Sequence, residues 1–509
     1  MNVPASSQTA WLSLRSVIPS MSSDARLLLP LALCVLFLSG CQVPAGVPLA
    51  PVREKIASGP LRVSVKNPRY FTNDSGKAIY LVGSHTWSNF PQRGTLNPPT
   101  VKFPYDAYVQ WMVAHNFNFM RMWTAELPYT GTEDDFENTV APPFKWLRTG
   151  PGLANDGRPK FDLNSLDQTY FDRLRSRIVT ARDNGIYVSV MLFEGEEWEH
   201  ETNPHDGNPF EDSNNINGVD CPEKCPTDNL RITSAVWEYE CAYIRKVVDT
   251  VNDLDNVLYE VSNEAGAPYS DTWQSSVIEF VHEYETSKPK QHPVGFTFQY
   301  MGGRDETLYA SSAEWISPRD RFIFGDGRKV VINDTDHSYP FPDLKRDGKS
   351  GQRAWVWKNF TSGSNVAFMD PYLVKWPNRN SPGGSTADPH IGLTTDDYWD
   401  DLRSAMGATL TYANRMDLTA MSPQPSLSST QYCLAHAGHE YLVYQPLGGS
   451  FALSIAAGSY QFEWLRPSDT KIVDSGIVSL SDGSHSFAPP VRGDAVLYLK
   501  IANATGAAR

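Results

Sequence analysis

Glu264 and Asp334 are the two carboxylates whose settings suggest chemistry. Each closes a short, apolar, β-prone run, residues 257–264 and 329–334, and Ala265-Gly266 breaks the first. Cleaving a glycosidic bond takes two carboxyl groups. One protonates the leaving oxygen; the other attacks the anomeric carbon or activates water. Asn263, beside Glu264, could hold a ring hydroxyl while the Glu reaches the glycosidic oxygen. Arg121, near the end of run 117–122, could hydrogen-bond the second carboxylate and keep it ionised. Asp336 competes with Asp334 for the nucleophile's place. His85 and His337 could bind hydroxyls. Trp87, Trp123, Trp198, Tyr300 and Trp357 offer aromatic faces of the kind that stack on sugar rings. Glu194 ends another run, and Asp370, before Pro371, is expected to tie a turn.

These groups can act together only if the chain brings their runs to one mouth. Eight runs read as buried strands: 79–83, 117–122, 186–193, 257–261, 294–298, 314–317, 329–334 and 365–370. Helical spacing lies between them. Phe171, Leu174, Ile178 and Ala181 form one face, ended by Asn184-Gly185. Ile244, Val247, Val248 and Val251 form another; Val277, Ile278 and Val281 a third; residues 398–412 read as a closing helix. Strands alternating with helices imply parallel pairing. The expected fold class is α/β, a (β/α)8 TIM barrel over residues 60–423, with its site at the strand C-termini. From 424 to 503 the pattern changes to strands at short spacing, split by turns such as Gly448-Gly449 and Asp482-Gly483. That reads as a small antiparallel β-sandwich. It is expected to bury Tyr441, Phe462 and Trp464 or their neighbours against each other and the barrel.

The chain has 509 residues, with 44 Lys+Arg against 58 Asp+Glu and a net charge of −14. Such an acidic balance argues against nucleic acid as a partner. Residues 21–41 read as an export signal. Arg26 precedes an apolar run, 27–38, that is short for a membrane span. Residues 1–20 add nothing to it, which makes Met21 an alternative start. The signal ends Leu38-Ser39-Gly40-Cys41, which resembles a bacterial lipobox. That resemblance implies a lipid on Cys41 and a place in the cell envelope, and Gln42 after it points to the outer membrane. Residues 42–59, rich in Pro and Ala, read as a tether. Cys221 and Cys225 share one loop, and in an exported chain they are expected to form a disulfide. A zinc site with His200 and His205 is the rival reading. Cys241 and Cys433 are expected as buried free thiols. No phosphate loop or dinucleotide fingerprint follows any strand, so no cofactor is expected, and the chain is expected to be a monomer.

Asn263-Glu264 resembles the strand-four motif of the large clan of retaining (β/α)8 glycosidases. Asp334 matches the clan's strand-seven nucleophile by position, although Glu is usual there. The chain more closely resembles bacterial apiosidase-like glycoside hydrolases, which carry a C-terminal collagen-binding-type module. The matching runs are 71–87, 116–123, 333–337, 368–372 and 441–449, within a resemblance spanning roughly residues 65–500. It implies hydrolysis of a polysaccharide or oligosaccharide, with Glu264 as acid/base. A non-catalytic lipoprotein that binds glycan or collagen-like ligand is the alternative. A lyase or transglycosylase on the same fold is a third.

Overall fold

The computed structural model describes residues 46–95, 102–130, 138–200, 207–220, 231–299, 302–319, 325–336, 348–370, 372 and 399–502. The chain divides into two units, Met1–Val43 and Pro44–Arg509, and all described residues belong to the second. Eight parallel strands close into a barrel. They are β1 (Val82–His85), β2 (Phe119–Met122), β3 (Tyr187–Glu194), β4 (Val257–Asn263), β5 (Val294–Thr297), β6 (Trp315–Ser317), β7 (Val330–Asp334) and β8 (Asn365–Met369). Both faces of these strands are covered, so they read as continuous apolar runs, and all eight overlap the runs the sequence marks; β1 starts only at Val82, because Ala78–Ile79 pairs antiparallel with Phe71–Thr72.

Helices wrap the barrel: α1 (Tyr105–Ala114), α2 (Gln168–Arg182), α3 (Gly195–His200), α4 (Trp237–Val251), α5 (Asp271–Glu285), α6 (Asp305–Ala310), α7 (Gly348–Thr361) and α8 (Asp400–Arg415). In α2, Asp167 caps the first turn by accepting the Thr169 N–H. Its buried face is Phe171, Leu174, Ile178 and Ala181, as the spacing predicts. Gly185 follows with φ +71, a conformation that favours glycine. The backbone oxygen of Glu54 would also lie 2.3 Å from any Cβ there. Among the described residues, no helix is long and apolar enough to cross a membrane.

The end of the barrel where strands begin is sealed. Leu81, Phe119, Tyr187, Leu258, Trp315 and Ile332 pack with Ala57, Leu61 and Phe71 from the N-terminal segment. Residues 46–59 are therefore not a free tether. Val47–Pro48 pairs antiparallel with residues 471–472. Arg53 donates to the carbonyls of Val113 and Asn184, and the Ala57 N–H to that of Arg182. The physical reason is that a Pro-rich extended segment can satisfy its polar groups on distant backbone, which composition does not reveal.

The C-terminal sandwich has a large sheet of β9 (Cys433–His436), β10 (Glu440–Gln445), β12 (Gly458–Arg466), β13 (Lys471–Leu480) and β15 (Ala495–Ile501). A small second sheet pairs β11 (Phe451–Ile455) with β14 (Gly483–Phe487). Successive residues of β10 point to opposite faces. Tyr441 and Val443 pack toward the small sheet with Trp464 buried and Phe462 partly so. Leu442 and Tyr444 join the barrel's own core. Trp357 of α7 stacks on Tyr444, ring centroids 6.3 Å apart. Asp494 takes Arg353 Nε and Nη2 at 3.0 and 2.9 Å. Trp357 is thus a buried interface residue rather than a sugar platform, and Trp198 is likewise buried, against Phe193.

Candidate active site

At the mouth, the ends of five strands converge through hydrogen bonds. Asp334 Oδ1 accepts from His85 Nε2 at 2.9 Å and from the Asp336 backbone N–H at 2.9 Å. Its Oδ2 lies 3.7 Å from Arg121 Nη1. The other nitrogen of His85, Nδ1, lies 2.9 Å from Trp123 Nε1. An indole N–H only donates, so Nδ1 must accept and Nε2 must carry the proton given to Asp334. Each donor aimed at Asp334 stabilises negative charge on it. Both ring nitrogens of His85 are engaged inside the protein. The residue holds Asp334, where the sequence suggested contact with substrate hydroxyls, because it projects inward from β1 beside β7's last residue.

Arg121 is the hub. Its Nε lies 3.0 Å from both oxygens of Glu260, its Nη2 2.7 Å from Glu260 Oε1 and 2.6 Å from Asn263 Oδ1, and its Nη1 2.8 Å from Asp336 Oδ2. Burial alone would lower its proton affinity. Attraction from Glu260, Asp334 and Asp336 outweighs burial and holds the guanidinium well above its ordinary value. Asn263 also donates from Nδ2 to Glu194 Oε1 at 2.9 Å. Arginine cannot accept and a carboxylate cannot donate, so the orientation of the Asn263 amide is fixed on both sides. The Arg121 guanidinium lies 5.0 Å from the Trp123 ring centroid. Trp123 is buried and Trp87 is half-buried, their rings edge to face at 6.3 Å. Of the two, Trp87 offers the more open face.

Glu264 differs from this buried set. It is half-buried and has φ +43, a left-handed conformation uncommon for a residue with a side chain. Such strain persists where surrounding structure enforces it, often at functional sites. Here the enforcement is visible. A Cβ on Gly195 would lie 2.6 Å from Ala265 Cα and 2.8 Å from the Asn263 carbonyl. Only glycine lets the β3 and β4 loops approach this closely beneath Glu264.

Asp370 does tie a turn. It takes Arg403 Nε and Nη2 at 2.8 and 2.6 Å and the Tyr372 N–H at 3.0 Å. Cys241 and Cys433 are free and buried. Cys41, Cys221, Cys225, His205, Tyr300 and His337 lie outside the described residues.

Sequence reasoning missed two parts of the site. Glu260 is buried as the main partner of Arg121. Its signal was the period-two pattern of β4, which puts it on the inward face with Leu258 and Ser262. A second buried cluster backs β3. Lys145 reaches Glu126 and the Leu192 carbonyl, and Glu126 accepts the Glu194 N–H at 3.1 Å. Burial raises Glu126 and lowers Lys145, and their mutual attraction opposes both shifts. These two sit in irregular segments, where no periodicity announces them.

No family model matches the chain, and no curated protein matches it. Solved structures match in fold. One described as a glycoside hydrolase superposes with a TM-score of 0.52 at 12% identity, over 87% of this chain and 97% of its own. A glycoside hydrolase family 5 protein from Bacteroides vulgatus ATCC 8482 gives 0.55 at 14% identity, over 87% and 94%. The likeness is one of architecture, a closed parallel barrel accompanied by a β-rich region.

Proposed function

We propose that this chain is a glycoside hydrolase that cleaves O-glycosidic bonds of a polysaccharide or oligosaccharide, acting from a lipid anchor on Cys41. Asp334 is the nucleophile and Glu264 the general acid/base. The observation that carries this reading is the buried carboxylate of Asp334, held by His85 and faced by Arg121, on the same barrel mouth as the more open Glu264. An ionised group fixed by donors suits attack; a more accessible carboxyl suits proton exchange with a leaving group and then with water.

In the first step an Asp334 oxygen bonds to the anomeric carbon as the bond to the leaving oxygen breaks, and Glu264 gives that oxygen its proton. In the second step Glu264 takes a proton from water, the water oxygen bonds to the same carbon, and Asp334 departs. Two displacements retain the configuration. The apiosidase-like subtype and the collagen-binding-type module belong to this proposal and rest on the sequence runs alone. The test is a screen of plant and bacterial polysaccharides, with product anomers followed by NMR. Retained configuration, lost in Asp334→Asn, is expected. An inverted product would move the second carboxylate to the role of base. Binding without any product would favour the non-catalytic alternative.

A further inference from the structure

The end of the barrel opposite the mouth carries a surface that the catalytic reading does not use. Residues 52–77 hold six Lys or Arg against two acids, in a chain whose net charge is −14. This stretch lies across the strand-start end. Ala57 and Leu61 plug the barrel floor, and the Ser58 carbonyl accepts from the hydroxyl of Tyr187, the first residue of β3. A small sheet of residues 62–63, 71–72 and 78–79 completes the cover. Along residues 52–77 large apolar side chains stay exposed: Val65 is 96% exposed, Ile56 60% and Val52 40%. Lys55, Lys66 and Lys77 are exposed beside them. The strand-leading loops of the same end add mostly paired charge, Arg182 with Asp183, Lys290 with Asp255 and Arg328 with Asp326. Within residues 52–77 Arg62 pairs with Asp74, and the stretch keeps four more basic than acidic residues.

We infer that this floor of the barrel lies against an anionic lipid bilayer, with Val52, Ile56 and Val65 at the interface and Lys55, Lys66 and Lys77 facing lipid headgroups. The inference rests on the anchor at Cys41 proposed above. Only residues 42–45 separate that cysteine from Gly46, where the docked segment begins, and the five residue steps between them reach at most about 18 Å. A link this short draws the protein to the membrane, and the basic, apolar floor supplies the second signal that stable membrane association requires. The mouth, at the other end of the strands, then opens away from the bilayer toward soluble polymer.

The test is lysine footprinting of the full lipidated chain. The protein is reconstituted into vesicles of phosphatidylethanolamine with phosphatidylglycerol and, separately, kept in detergent. Both samples are treated with an acetylating reagent that does not cross bilayers and read by mass spectrometry. Lys102, exposed and leading into α1 at the mouth end, is the internal control. The expected result is several-fold less acetylation of Lys55, Lys66 and Lys77 in vesicles than in detergent, with Lys102 unchanged. A chain that co-floats with vesicles but protects Lys102, or leaves the three lysines fully reactive, overturns the orientation while the anchor stands. A chain that does not co-float overturns both.

Discussion

Trp123 donates its indole N–H to Nδ1 of His85, 2.9 Å away, and thereby decides which nitrogen of that ring meets Asp334. Trp123→Phe keeps an aromatic ring, though a smaller one, and removes the donor. Losing one hydrogen bond, worth about 1–1.5 kcal/mol, should lower kcat about tenfold. KM should change little, because the indole N–H is spent on His85 inside the protein. A change confined to KM would assign Trp123 to substrate binding.

The two carboxylates should fail differently. Glu264→Gln should lower turnover by about 10²–10⁴-fold on substrates with poor leaving groups, the usual worth of a general acid. Activated aryl glycosides, which leave without a proton, should be cleaved far better by this variant. Asp334→Asn should abolish both activities. Steady-state kinetics on matched substrates decides the matter. Near-normal turnover in Asp334→Asn would move the nucleophile to Asp336, and normal turnover in Glu264→Gln would end the assignment.

Glu260 neutralises Arg121 where water cannot. Glu260→Gln leaves a buried guanidinium short of its main partner, and breaking such a pair costs about 3–5 kcal/mol. Thermal unfolding should show a markedly lower Tm. An unchanged Tm would mean that Asp334 and Asp336 suffice to balance Arg121.

Glu240 should behave in the opposite sense. It is fully buried, among the described residues only the Trp273 indole donates to it, and burial raises its proton affinity well above the ordinary 4.5. Between the unfolded value and the higher folded one, the folded chain keeps a proton that the unfolded chain has lost. Its contribution to stability therefore falls as pH rises through that window and stays low above it. Glu240→Gln should flatten this part of the Tm–pH curve and cost no stability at neutral pH. A large loss of Tm in that variant would show an ionised Glu240.

How much of this was legible depended on range. Each barrel strand announces itself by a local apolar run, and Asp334, Asn263 and Glu264 are found simply by asking what stands at the run's end. Their partners are not local. His85 and Asp334 meet because β1 and β7 both flank β8, and the hydrogen bond from Trp123 adds a third strand end. Sequence reading therefore named these residues but gave His85 and Trp123 to the substrate. Lys145 and Glu126 lie in the long excursion between β2 and α2, where strands 146–153 and 159–166 pair as one hairpin without any alternation strong enough to predict it. The segment 46–59 was misread for the same reason, since its anchors are residues 113, 182, 184 and 471–472.

The pairing of Val47–Pro48 with residues 471–472 has a consequence in time. A growing chain presents residue 47 long before its partner strand exists, and this contact spans nearly the whole polypeptide. Contacts of such separation form late, because the entropy of closing the intervening loop is lost before they give anything back. The first docked residues must wait for the last domain. The sandwich shares a core with α7 and α8, so it too is completed only when the barrel is present. Synthesis from one end thus yields no finished half, and a chain cut short before β13 leaves its own beginning unseated.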